Sequence, residues 1–209
     1  MDAPAKNARM AWVAIALAVV AALAGIALIL MFLLEVPTNG PYYFGTTNDI
    51  LGGLSFLMLP VLVVYLTRAI ANSLGTQLAL WIVVAVLLLA ALSSFLLAAE
   101  LLSYNESTAI TIVGFLTQAA WLIWVCRTYR EASAMPQATA RLGELVGAGY
   151  GVAIGLIGIA ALLPSMSVSQ LVIGVPGVLL FALAWAATPV WYFLLARYLR
   201  PAPISTVSR

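Results

Sequence analysis

The sequence contains no histidine and one cysteine, Cys126. The absence of histidine excludes a Ser-His or Cys-His nucleophile pair, an HExxH zinc site and a histidine haem ligand. A lone cysteine cannot form a disulfide within the chain or a CxxC metal or redox motif. Aspartate occurs only at Asp2 and Asp49, which excludes a paired aspartate protease within the membrane. We therefore expect no catalytic centre of these classes and no cofactor.

Charge is equally scarce. The 209 residues include nine Lys or Arg and seven Asp or Glu, together 8% of the chain, whereas soluble domains carry about 25% charged residues. The apolar residue types make up 65% of the sequence. So few charged side chains cannot cover the surface of a soluble globule, and the bilayer is the expected solvent. The predicted surroundings are membrane lipids, and no nucleic-acid partner is expected.

Six almost uncharged stretches are long enough to cross, as helices, a bilayer core about 30 Å thick. They cover residues 10–34, 50–66, 78–102, 108–126, 145–163 and 170–195. The first is longer than the apolar region of a signal peptide and is interpreted as a helix. Because the connections are short, consecutive helices are expected to be antiparallel neighbours in a compact bundle. The sequence predicts an all-α, polytopic integral membrane protein, a single transmembrane domain with tails at 1–9 and 196–209.

All basic residues fall on one side of these spans. They are Lys6, Arg9, Arg68, Arg127, Arg130, Arg141, Arg197, Arg200 and Arg209. Short cytoplasmic loops are enriched in Lys and Arg, so both termini are predicted to be cytoplasmic in a protein of the cell membrane. Aromatic residues near the span ends predict interfacial belts. The cytoplasmic belt comprises Trp12, Trp81, Trp121, Trp124, Trp191 and Tyr192, and the outer belt Tyr42, Tyr43, Phe44 and Tyr104.

The fifth span contains two overlapping GxxxG patterns, formed by Gly147, Gly151 and Gly155. Small residues four apart allow two helix backbones to approach closely, and such contacts drive helix association in lipid. We expect the fifth helix to be central in the bundle and to pack through these glycines. Packing within the chain is the favoured interpretation, and packing against a second copy stays open.

Polar residues within the spans recur seven positions apart, which places the members of each pair on one helix face. The pairs are Asn48 with Ser55, Ser93 with Glu100, and Thr111 with Gln118. Two readings are open. The three faces can converge on a polar interior that opens to the outside, or they can hold the bundle together by hydrogen bonds between helices. The second reading is favoured.

Four carboxylates lie in or beside the outer loops, which contain no basic residue: Glu35, Asp49, Glu100 and Glu106. Asp49 ends a run of helix-capping residue types, 46–49, and is predicted to cap the second helix. Glu106 is predicted to be solvated. Glu35 and Glu100 follow helix C-termini, where the helix dipole disfavours anions, so capping does not account for them. They are the sharper candidates for a site that attracts cations.

Two classes of function remain. The leading hypothesis is a non-enzymatic membrane protein, either a small solute or ion permeation element or an accessory subunit of a membrane complex, with other subunits or a second copy as partners. A permeation element is expected to line a polar cavity with Glu35, Asp49, Glu100 and Gln118. The alternative is an intramembrane enzyme that acts on a lipid or isoprenoid substrate through outer-side carboxylates, at least two of which would lie within reach of one metal ion.

Overall fold

A computed structural model describes the backbone of residues 3–71 and 73–200 and the side chains from residue 7 onward. Within this part the chain forms six α-helices and no strand. They are α1 (Ala3–Leu30), α2 (Tyr43–Ile70), α3 (Leu74–Ala98), α4 (Tyr104–Glu131), α5 (Gln137–Ala161) and α6 (Val168–Leu199). All six are long and apolar enough to cross a membrane, which confirms the predicted helical class. The side chain of Lys6 and all of Arg209 lie outside the described residues.

Every helix begins before its predicted span, whereas α3 and α5 end before theirs, at Ala98 and Ala161. The spans were bounded by charge and hydropathy, but several helix starts are set by capping side chains. α3 begins after Ser73, whose hydroxyl accepts the backbone N–H of Thr76 at 3.2 Å. Ser167 caps α6 in the same way. Ser103 and Glu106 form a capping box at the start of α4. Such side chains satisfy the amides that the first turn of a helix leaves unpaired.

The start of α2 differs from the expectation. The helix begins at Tyr43, so Asp49 lies inside it and does not cap it. Its first amides are instead satisfied by Glu35, which ends the π-helical turn that follows α1. The Glu35 carboxylate accepts the N–H of Phe44 at 2.8 Å and of Gly45 at 3.1 Å. The statement that capping does not account for Glu35 is therefore wrong: this residue ends one helix and caps the next.

The six helices form a ring in chain order. Each packs against its sequence neighbours, α6 closes the ring against α1, and α2 also touches α4. Among the described residues, α5 packs only against α4 and α6, so the prediction of a central fifth helix is wrong. Of its three GxxxG glycines, Gly147 alone lies at a close contact, where an added Cβ would stand 2.7 Å from the Ala119 carbonyl oxygen. A Cβ at Gly151 or Gly155 would meet nothing within 4 Å.

The bundle has two unlike halves. The half next to the chain termini, here called the termini half, is filled by large buried side chains. These include Leu17, Leu62, Leu66, Leu122, Trp191 and Leu195. Hydrogen bonds also join its helices: Trp121 Nε1 donates to Thr67 Oγ1 at 3.2 Å, and the Tyr129 hydroxyl donates to the Leu66 carbonyl at 3.2 Å. The other half, next to the loops 36–42, 99–103 and 162–167, is called the distal half.

Candidate binding cavity

The distal half surrounds a cavity of about 1070 Å³ to which all six helices contribute. It reaches from Tyr42 and Tyr104, at the loop end, down to Gln118 and Tyr192. Gln118 lies fourteen residues after the start of α4, about 21 Å along the helix axis. Below it the packed side chains of the termini half close the bundle. The cavity is therefore deep and closed towards the termini half.

The cavity has one polar and one apolar wall. Its polar wall is formed by α2 and α4. The residues are Thr46, Asn48, Asp49 and Ser55 on α2 and Ser107, Thr108, Thr111 and Gln118 on α4. The apolar wall comes from the other side of the ring. It includes Leu28 on α1, Met31 in the π-helical turn that follows, Ile154 and Ile157 on α5, and Phe181 and Trp185 on α6. A molecule with distinct polar and apolar parts fits such a division.

Two buried polar groups in the wall lack partners. Gln118 is 5% exposed and lines the deep end, and no described residue forms a hydrogen bond with its amide. The Ser55 hydroxyl is buried and also has no partner among the described residues. An unmet buried hydroxyl such as that of Ser55 costs about 1–3 kcal/mol, whereas the Gln118 amide lines the cavity and is free to bond a ligand.

Another hydrogen-bonded pair in the lining, Tyr150 and Thr188, has its donor and acceptor fixed by geometry. The Thr188 hydroxyl donates its one proton to the Ala184 carbonyl at 2.9 Å. The Tyr150 hydroxyl, 2.9 Å from Thr188 Oγ1, must therefore be the donor in that pair. The lone pairs of the Tyr150 oxygen remain available as acceptors. Tyr150 and Thr188 both line the cavity.

Aromatic rings support the deep end of the cavity. Phe115 stands 5.2 Å, centroid to centroid, from each of Phe56, Tyr150 and Phe181. The Trp185 ring continues the cluster 6.4 Å from Phe181. Edge-to-face contacts of this kind add to the free energy of burial. The cluster joins four helices, α2, α4, α5 and α6, at the base of the site.

The structure places only two of the four predicted ligand or ion residues in the cavity lining. Asp49 and Gln118 both line the cavity, and Glu35 and Glu100 do not. Glu35 is 5% exposed and occupied in capping α2. Glu100 is exposed and has a φ of +59°, the left-handed conformation that ends α3. Its N–H donates to the Leu97 carbonyl at 2.9 Å, so it too belongs to a helix cap.

Asp49 is the one charged residue that lines the cavity. It is half-buried near the distal end and accepts a hydrogen bond from Asn48. Within the described part of the chain, no three His, Cys, Asp or Glu residues lie close enough to hold a metal ion. The carboxylate pair expected of the enzyme alternative is not brought together in this cavity.

The predicted polar faces are only partly in the cavity. The polar faces of α2 and α4 line it. They carry Asn48 and Ser55 on α2, and Thr111 and Gln118 on α4. Ser93 instead bonds the Ser107 hydroxyl at 3.0 Å and ties α3 to α4, as the favoured reading described.

Sequence reasoning missed the aromatic and Tyr150–Thr188 part of the site. The missed signal is a repeated spacing of 4, 3 and 4 residues along two helices. It occurs at Tyr150, Ile154, Ile157 and Ala161 of α5 and at Phe181, Trp185, Thr188 and Tyr192 of α6. The belt prediction was also wrong for Trp121, Trp191 and Tyr192. These side chains are buried because their helix faces point into the bundle, whereas Trp12, Trp81 and Trp124 are exposed.

Comparison with known proteins found no matching family model, no similar curated protein and no similar solved structure. The functional argument therefore rests on the geometry of the cavity.

Proposed function

We propose that the protein is a non-enzymatic, multi-pass protein of the cell membrane that binds a small organic solute in the distal cavity, as the binding element of a permeation system. The cavity is closed towards the termini half and accessible at the distal end. A ligand would therefore reach it from one side of the membrane. With the termini in the cytoplasm, that side is the outer one.

The observation that carries the proposal is the unpartnered amide of Gln118 at the blind end of the cavity. A packed bundle gains nothing from such a group, whereas a binding site uses it to orient a ligand. Asp49 lies nearer the opening and adds a negative charge without a cationic side chain in the lining. Solutes with an uncharged or cationic polar group are favoured over anions.

The orientation is supported by the distribution of arginines. Seven arginines have described positions, and all lie in the termini half or its connections. They are Arg9, Arg68, Arg127, Arg130, Arg141, Arg197 and Arg200. The connections at the distal end contain none. This distribution matches the enrichment of positive charge in cytoplasmic segments.

Thiol labelling from each side of the membrane tests the proposal. Thr111 of the cavity wall is replaced by Cys in a Cys126→Ala background and treated with a membrane-impermeant thiol reagent in right-side-out and inside-out vesicles. We expect labelling of Cys at position 111 from the outer side only. Wild-type protein is the matched control, because Cys126 is buried in the termini half and should resist labelling until denatured.

Solute binding is then measured as protection of the cysteine at position 111 from the thiol reagent. A panel of uncharged and cationic organic solutes is screened for one that slows the labelling at position 111. A Gln118→Leu substitution in the same background should weaken that protection about tenfold, the loss of one to two buried hydrogen bonds. Labelling from neither side, or protection unaffected by Gln118→Leu, would contradict a binding function for this cavity.

A further inference from the structure

The wall of the cavity is incomplete on one side of the distal half. α6 contributes residues 181–192 to the lining, but none of its residues 168–180. α6 is the element between α5 and α1 in the ring, and no described residue of α1 packs against α5. In that part of α6, Val172, Val178 and Leu179 are 58–66% exposed. The lining therefore has a gap beside α1 in the distal half, where α6 contributes no residue; this gap is called the side opening.

The margins of this opening are apolar. Phe32, in the π-helical turn after α1, and Gly158 and Ala161 on α5 line the cavity and are exposed. In a helix that crosses a bilayer, this surface faces lipid chains. Water-soluble solutes gain nothing from such an opening, whereas a hydrocarbon chain can occupy it without leaving an apolar environment.

The opposite wall supplies hydrogen-bonding groups without a positive charge. Ser55, Thr111 and Gln118 are uncharged, and Asp49 is an acid. An anionic head group placed here would lose its hydration and meet a carboxylate with no cationic side chain in the lining to compensate. An uncharged polar head would instead satisfy the Gln118 amide and the Ser55 hydroxyl.

We propose that the ligand is a lipid-like amphipath with an uncharged polar head, which enters from the bilayer between α1 and α6. Its hydrocarbon chain lies along the apolar wall and through the side opening, and its head binds the α2 and α4 wall at Gln118. The inference rests on the proposed binding function and deepens it by naming the class of ligand and its route. The volume of about 1070 Å³ is at or above the upper end of drug-sized pockets, about 300–1,000 Å³, as a long-chain molecule requires.

Two glycines of α5 provide a matched pair for the test. An added Cβ at Gly158 or at Gly155 meets nothing within 4 Å, so both sites accept a larger side chain without a clash at Cβ. Gly158 lines the cavity beside the opening, whereas Gly155 is exposed and does not line it. Gly158→Leu should fill the cavity and Gly155→Leu should not.

Thermal unfolding of full-length protein is measured in an amphipathic polymer, because a maltoside detergent itself has an uncharged head and a hydrocarbon chain. Monoolein, glycerol and oleyl sulfate are added in turn. Monoolein has an uncharged head and a long chain, glycerol is the head alone, and oleyl sulfate has the same chain length with an anionic head. We expect monoolein to raise the Tm of the wild type and of Gly155→Leu by about 3 °C. Gly158→Leu should show no rise, glycerol should have no effect, and oleyl sulfate should require at least about tenfold more ligand.

The outcomes separate this inference from the binding function itself. Equal stabilisation of both glycine variants by monoolein, or equal potency of oleyl sulfate, would overturn the inference. A water-soluble solute that protects position 111 while monoolein has no effect would overturn the lipid-like ligand and leave solute binding standing. Native mass spectrometry of the monoolein-treated wild type should retain one added monoolein mass, and Gly158→Leu should retain none.

Discussion

In the termini half, leucines, tryptophans and tyrosines meet at the bundle axis, whereas alanine, glycine and serine replace them on several helices of the distal half. α3 shows this change, from Leu80 and Leu87 to Ala90, Ala91, Ser93 and Ser94. On α1 the described buried residues after Leu17 are all alanines, although Ala11 and Ala14 are buried before it as well. The same six helices thus pack tightly at one end and leave a cavity at the other. We infer that the termini half supplies most of the stability, and the distal half is free to bind a ligand.

The largest expected difference between the halves is the cost of removing a leucine. Leu62 of α2 is fully buried in the termini half, and Leu62→Ala should lower the free energy of unfolding by about 3 kcal/mol, since it creates a cavity in a packed core. Leu97 of α3 is half-buried and already lines the cavity. Leu97→Ala should cost only about 1 kcal/mol, the transfer term alone. Denaturant titration in detergent measures both, and equal costs would refute the contrast.

Adding a methyl group tests the same contrast in the opposite sense. A Cβ at Gly143 would stand 2.3 Å from Cys126 Sγ and 2.5 Å from Trp191 Nε1. Gly143→Ala should therefore cost about 2 kcal/mol through overpacking. A Cβ at Gly52, in the cavity wall, meets nothing within 4 Å, and Gly52→Ala should stabilise α2 by about 0.5–1 kcal/mol. Cys126→Ala should restore part of the loss in Gly143→Ala, and a similar Tm for both single variants would contradict the prediction.

The number and class of helices could be predicted because long apolar runs without charge are a local property of the sequence. The cavity could not, because a stripe of small residues is compatible both with close packing and with open space. Gly147 and Gly151 have the same sequence context, but only Gly147 meets another helix.

Contacts that depend on the tertiary arrangement could not be predicted from the sequence either. Glu35 follows one helix, and its carboxylate reaches amides nine and ten residues further along the chain. Whether the side chains of Trp121 and Trp191 point into the bundle depends on how their helices are rotated about their axes in the ring. Asp49 and Gln118, which line the cavity, could be singled out from the sequence because a charged or amide side chain inside an apolar span is rare.

Removing a polar side chain should change the stability of the protein in opposite directions in the two halves. Gln118→Leu removes an amide that no described residue satisfies, and we expect it to stabilise the ligand-free protein by about 1 kcal/mol while weakening ligand binding. Thr67 accepts the indole N–H of Trp121 in the termini half. Thr67→Val leaves that donor unpaired and should cost about 1 kcal/mol. Thermal unfolding in detergent compares the two, and destabilisation by Gln118→Leu would show that its amide has a structural role.

The smallest expected effect concerns Glu35, whose side chain caps α2 in the distal half. Glu35→Gln leaves one acceptor for the two amides of Phe44 and Gly45, so the first turn of α2 should be destabilised by about 1 kcal/mol. Hydrogen exchange of these two amides should become roughly fivefold faster. Glu100→Gln is the matched control, because the exposed Glu100 side chain caps nothing and only its backbone takes part in ending α3.

Because the start of α2 leads directly to Asp49, faster exchange in Glu35→Gln should also be accompanied by weaker binding. Unchanged binding would separate the cap from the site and confine Glu35 to a purely structural role.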